Sequence, residues 1–154
     1  FDHADAILCY DISSDYFRQI GDNNFAPLLA LDCMIHDPLF FQVNSDYEKI
    51  FRQADAYFNH QDYTLVLIET LNQERKAYLN ALFSHIIYVK DIADVTSLSD
   101  ENLLVVEQTL YDCLKDHTKV CYIPTMTTEK AEVLLSCMEN AIQRIPIQEH
   151  DILI

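Results

Sequence analysis

Apolar residues recur at three- and four-residue spacing through Ile50, Phe51, Ala54, Tyr57 and Phe58, and this stripe predicts a helix from Asp46 to about residue 59. Ser45 with Glu48 reads as a capping box, in which hydroxyl and carboxylate each satisfy one free N–H at the helix start. Asn59-His60-Gln61-Asp62 breaks the stripe, and Tyr63, Leu65, Val66, Leu67, Ile68 and Leu71 predict a second helix over 63–73. The joining turn is too short to let the two separate, so the spacing predicts an αα-hairpin. Further stripes predict helices at 4–10 and 14–20, at 25–36 with Pro27 in its first turn, at 76–90, at 100–115 behind a Ser97/Asp100 capping box, and at 128–145. The pattern as a whole predicts an all-α fold, a short stack of antiparallel helix pairs forming one domain over 1–154.

Three segments carry a competing signal. AILCYDI, HIIYVKDI and KVCYIPT are rich in β-branched and aromatic residues, as buried parallel strands are, and periodicity alone does not separate the two. Whether 84–92 and 119–125 are strands therefore stays open at this point. One Gly in 154 residues favours the helical alternative, because strand-to-helix turns commonly need positive φ.

The hairpin resembles a tetratricopeptide repeat. Ala54 stands at the repeat's small position, Tyr57 at the aromatic of its first helix and Tyr63 at the aromatic opening its second, while Leu134, Met138, Ala141 and Pro146 have second-helix spacing with a proline stop. Phe25/Leu28, Tyr63/Val66 and Leu103/Val106 add a loose register of degenerate repeats. Ala54, Ala56, Tyr57, Phe58, Tyr63, Lys76, Ala77 and Tyr78 are further similar to the N-terminal repeats of the tetratricopeptide subunits of the anaphase-promoting complex, a ubiquitin ligase. That resemblance implies a non-catalytic protein-binding scaffold, self-associating as a homodimer within a larger assembly, and the N-terminal part of a longer protein.

Composition narrows the function classes. So few glycines disfavour phosphate-cradling loops and nucleophile elbows, hence an enzyme. A net charge of −15 disfavours nucleic acid and anionic membranes as partners. The same charge admits an alternative to the scaffold, an acidic immunity protein or secretion chaperone covering a basic protein partner. The chain shows neither a run of apolar residues long enough to span a bilayer nor a signal-peptide pattern, and an intracellular protein of cytoplasm or nucleus is expected. Cys9, Cys33, Cys113, Cys121 and Cys137 are odd in number and sit in apolar stripes, which reads as reduced core thiols.

Cys33 with His36 and Cys113 with His117 supply four ligands suited to zinc, but the spacing matches no standard knuckle, so neither metal nor cofactor is expected. Ser136, Cys137 and His150 contain the types used in nucleophilic catalysis without a base placed against a nucleophile. Asp2, Asp5, Asp11 and Asp15 could pair for acid/base work, though a solvated acidic face explains them more simply, and Tyr57 and Phe58 read as core. The first segment is apolar at Phe1, Ala4, Ile7, Leu8 and Tyr10 rather than polar as an end cap would be. Leu8, Phe17, Phe25, Leu28 and Leu29 are therefore the expected contacts of the homodimer.

Overall fold

The computed structural model describes residues 5–23, 26–34, 42–69, 72–91, 94, 101–116, 119–143 and 151–154. They form β1 (Ile7–Tyr10), α1 (Ser14–Asn23), β2 (Leu28–Leu31), β3 (Gln42–Asn44), α2 (Tyr47–Tyr57), β4 (Thr64–Ile68), α3 (Gln73–Leu82), β5 (Ile86–Val89), β6 (Leu103–Val105), α4 (Gln108–Leu114), β7 (Val120–Tyr122), α5 (Thr128–Ile142) and β8 (Asp151–Leu153). The chain divides into two compact units: Phe1–Ser45, Leu71–Tyr78 and Thr127–Ile154 in the first, Asp46–Thr70 and Leu79–Met126 in the second.

The first unit is built on a parallel sheet of order β1-β2-β3-β8. Ile7 pairs with Leu28 and Tyr10 with Leu31, while Val43 is registered between Leu31 and Ile152. Alternation along β2 splits its side chains between two cores. Ala30 joins Ile7, Cys9, Phe17 and Cys33 on one face, under α1, whereas Leu29 and Leu31 join Val43 and Cys137 on the other, against Val133, Leu134 and Met138 of α5. A strand covered on both faces has no polar side to show, which is why Leu28–Leu31 is an unbroken apolar run.

The second unit carries a parallel sheet of order β5-β4-β6-β7. Val66, Val89, Leu103 and Val105 pack with Leu110 and Leu114 of α4. Leu65 and Leu67, wholly or almost wholly buried, alternate with Val66 and so face the other way. Aromatic contacts tie α2 to the residues around it: Phe83 meets Tyr47, Phe51 and Tyr63 edge-on, and Tyr63 stacks on Phe58.

The all-α expectation is overturned: the fold is α/β with parallel sheets. Residues 63–73 are not a second helix of a hairpin, since Thr64–Ile68 is a central strand bonded to both neighbours. A run of four or five apolar residues is too short to be a buried helix but long enough to cross a sheet. The same correction applies to 25–36, which holds β2, and to 4–10, which holds β1. The segments 76–90 and 100–115 each fuse a strand and a helix, α3 followed by β5 and β6 followed by α4. The strand-rich segments AILCYDI, HIIYVKDI and KVCYIPT do contain β1, β5 and β7. Helices within 14–20, 46–59 and 128–145 are present as α1, α2 and α5.

Scarcity of glycine misled because other residues take its place. Asp11, Asp32 and Met34, just beyond β1 and β2, have φ of 51°, 52° and 55°, and Asn59 and His60 have φ of 53° and 63° after α2. Asp and Asn tolerate this left-handed region through local hydrogen bonds of their short side chains. Capping differs as well. Asp46 rather than Ser45 caps α2, accepting from Lys49 N at 3.2 Å, and Pro27 lies before β2 with its carbonyl accepting from Ile7 N. The Ser97/Asp100 box lies outside the described residues.

Candidate functional site at the carboxyl edge of the first sheet

In a parallel sheet every strand ends at the same edge, and there the backbone must turn away while its last donors and acceptors still need partners. Directly after β1, Asp11 N–H donates to Leu31 O at 3.2 Å; directly after β2, Asp32 N–H donates to Val43 O at 2.9 Å. Both aspartates then take positive φ. Backbone held in a sparsely populated region collects at sites where a side chain must be aimed.

Asn72 organises this edge. Its Nδ2 donates to Ile12 O at 3.0 Å and to Cys33 O at 2.9 Å, joining the exits of β1 and β2. Its Oδ1 accepts from Glu74 N at 3.1 Å and Arg75 N at 3.2 Å, capping the start of α3. Glu74 in turn accepts from Ser14 N at 2.8 Å. The cap places Arg75 beside Asp11, with Nη1 3.4 Å from Oδ1, the guanidinium side chain 7% and the carboxylate 18% exposed.

A second cluster lies inward. Lys130 Nζ, on a side chain wholly buried, donates to Asp32 Oδ2 at 2.7 Å and to Ser45 Oγ at 2.6 Å. Ser45 donates through both N and Oγ to Asp32 Oδ1, each at 2.8 Å. Thr127 caps α5 by accepting from Lys130 N at 3.1 Å and so sets the lysine at the first turn of its helix. This triad is closed: the ammonium is neutralised by a carboxylate, and Ser45 already donates its hydroxyl proton to Asp32. It fastens α5 to the ends of β2 and β3. Beside it, Met34 N donates to Asn44 Oδ1 at 3.3 Å, and burial pushes the Cys33 thiol up to about 11.

Chemically the outer pair can do what the inner triad cannot. A guanidinium offers several N–H donors in one plane and a carboxylate only acceptors, so a ligand bearing adjacent hydroxyls or an anionic oxygen can bridge them. Among the described residues no group of three His, Cys, Asp or Glu side chains is placed to hold a metal ion.

The residues singled out from sequence scatter. Leu8 is 42% exposed on β1, whereas Phe17 and Leu29 are buried in the first unit's own cores, Leu28 is half-buried and Phe25 lies outside the described residues. Cys33 is buried and Cys113 exposed on α4, while His36 and His117 lie outside the described residues. Cys9, Cys121 and Cys137 are buried, free thiols. Ser136 is exposed, Cys137 faces the core, and His150 and Asp2 lie outside the described residues. Asp5 is exposed, and Asp15 pairs with Arg18 at 3.5 Å. Of the described acidic candidates, Asp5, Asp11 and Asp15, only Asp11 joins the site. Phe58 is core as expected, but Tyr57 is 60% exposed.

Asp32, Ser45, Asn72, Arg75 and Lys130 were not anticipated. One signal for them is visible in the sequence: ILCY-Asp11, LLAL-Asp32 and LVLI-Glu69 each set an acidic residue directly after a four-residue apolar run. That is how parallel strands ending at a polar edge read.

No family model matches this sequence, and no curated protein does. Solved structures do match. A LacI family transcription regulator from Clostridium acetobutylicum superposes with a TM-score of 0.60 at 16% identity, over 97% of this chain and 75% of that one. The Cra transcriptional dual regulator from Pseudomonas putida, in complex with fructose 1-phosphate, gives 0.59 at 16% over 98% and 75%. A periplasmic binding protein/LacI transcriptional regulator from Alkaliphilus metalliredigens, complexed with D-xylulofuranose, gives 0.56 at 13% over 98% and 74%. At such identities the likeness shows the fold. It overturns the tetratricopeptide resemblance, and with it the anaphase-promoting-complex scaffold: the helical repeat that would have carried both is interrupted by β4, β5 and β6.

Proposed function

We propose that this chain is a non-catalytic sensor module that binds a small polyhydroxylated molecule, a sugar or sugar phosphate, at the carboxyl edge of its first sheet. The observation that carries the reading is the Asp11–Arg75 pair, its carboxylate partly exposed and its guanidinium buried, held by Asn72 beside backbone of positive φ. Open parallel sheets take ligands outside the carboxyl ends of their strands. In this position Arg75 donates to a hydroxyl or phosphate oxygen and Asp11 accepts from the neighbouring hydroxyl, so a ligand with two adjacent polar groups engages both. That two of the similar structures hold D-xylulofuranose and fructose 1-phosphate supports the ligand class.

The −15 charge supports a module that senses rather than touches phosphate backbones itself. Four buried free cysteines and one exposed support a reducing, intracellular compartment. Pairing with a second copy is part of the reading, supported by Leu8 and Tyr10, 42% and 54% exposed on β1.

Isothermal titration against pentoses, hexoses and their phosphates tests the proposal. At least one should bind, Arg75→Ala should remove that binding and Asp11→Asn should weaken it by about tenfold, the effect of losing one charge-assisted hydrogen bond. Absence of binding across the panel, or binding indifferent to Arg75→Ala, would sink it.

A further inference from the structure

Helix α1 leaves the carboxyl end of β1 at Ser14, and the first turn of a helix carries free N–H donors and a partial positive charge, a ready seat for the phosphate of a ligand. In this chain the seat is filled from within. Glu74 Oε1 accepts from Ser14 N at 2.8 Å, Ser13 Oγ accepts from Tyr16 N at 3.3 Å, and Phe17 N donates to Ser13 O. Asn72 holds the carboxylate over that turn, bonding Glu74 N with its Oδ1 and Ile12 O with its Nδ2.

The cations of this edge are matched as well. Arg75 faces Asp11, and Lys130 is sealed against Asp32 on a side chain wholly buried. Counted with the half-buried Glu74, these groups carry one negative charge in excess. A phosphate arriving here meets an uncompensated carboxylate where it needs a cation, whereas a neutral hydroxyl donates to Asp11 or accepts from Arg75 without like-charge repulsion. We infer, resting on the sugar-binding reading of this edge, that Glu74 determines its specificity: the carboxylate takes the place of a ligand's anionic group on α1, so the site selects an unphosphorylated sugar and rejects the sugar phosphate.

Isothermal titration of the full chain with D-ribose, ribose 5-phosphate, D-fructose and fructose 1-phosphate tests this. At low salt a neutral sugar should bind about tenfold more tightly than its own phosphate, the effect of setting a dianion beside one uncompensated carboxylate. Added salt should narrow that ratio, because the repulsion is screened. Glu74→Gln keeps an oxygen to accept from Ser14 N and loses the charge, so it should narrow the ratio about tenfold by raising the affinity for the phosphate. Glu132→Gln removes the same charge from the exposed side of α5, which packs on the opposite face of the sheet from α1, and should leave the ratio near its wild-type value. A wild type that prefers the phosphates overturns the inference and leaves the sugar site standing, as does a ratio that the two variants move equally or that salt does not change. Binding of none of the four compounds counts against the sugar site itself, and the selectivity falls with it.

Discussion

Lys130 Nζ lies 2.7 Å from Asp32 Oδ2, an ion pair joining residues 98 apart in sequence on side chains 0% and 5% exposed. Removing one member leaves the other buried and uncompensated. Asp32→Ala should cost about 3–5 kcal/mol, whereas the double change Lys130→Met with Asp32→Leu should cost less than Asp32→Ala alone. Urea unfolding of the three proteins measures this; a double variant as unstable as the sum of its singles would show that the two charges are not coupled.

Asn72 makes four hydrogen bonds with one amide, two to the strand exits and two to the first turn of α3. Asn72→Ala therefore loses a helix cap and orphans two carbonyls, an expected cost of about 2–3 kcal/mol. Gln73→Ala, one residue on and exposed, is the control and should be near neutral. If Asn72→Ala melts with the control, the amide does not organise the edge.

The cysteines should divide four to one. Cys113 is exposed, while burial raises the thiols of Cys9, Cys33, Cys121 and Cys137, Cys33 furthest. A thiol reagent at neutral pH should modify Cys113 quickly and the others only on unfolding. Cys33 also gives a pH dependence. Its folded value, about 11, stands above its ordinary value near 9, so its contribution to stability is complete below about pH 9 and declines as pH rises toward 11. Cys33→Ala should flatten that part of the alkaline decline in urea midpoint; an unchanged slope would mean the thiol is not responsible.

Leu8 is 42% exposed on β1, which pairs with β2 alone among the described strands. Leu8→Glu should keep its far-UV circular dichroism and lose no more than about 0.5 kcal/mol, as surface changes do. If two copies pair across this strand, sedimentation should show a wild-type dimer and a Leu8→Glu monomer. A wild type that sediments as a monomer at high concentration would end the pairing proposal.

Much of the candidate site was hidden by sequence distance. Asp11 was legible as one of four N-terminal acids, but nothing nearby in the chain says that Arg75 meets it, or that Lys130 meets Asp32 and Ser45. Ser45 shows the difficulty well. With Glu48 three residues on it carries the signature of a helix cap, yet its hydroxyl serves Asp32 and Lys130 while Asp46 takes the capping role.

All five cysteines read as core thiols and Cys113 is exposed, so the sequence by itself determined only the acidic charge and the helices α1, α2 and α5, whose stripes repeat locally. These properties need only residues within a few turns of one another, because a helix bonds to itself. Only the tertiary structure decided that Leu28–Leu31, Thr64–Ile68 and Leu103–Val105 are strands. A short apolar run has no preference strong enough to choose, and its backbone hydrogen bonds come from other strands: Leu65 stands in register with Ile86 and Leu104, 21 and 39 residues away, and its N–H donates to His85 O. The edge where β1 and β2 end, and the pairing of charges upon it, exist only once the first sheet has formed.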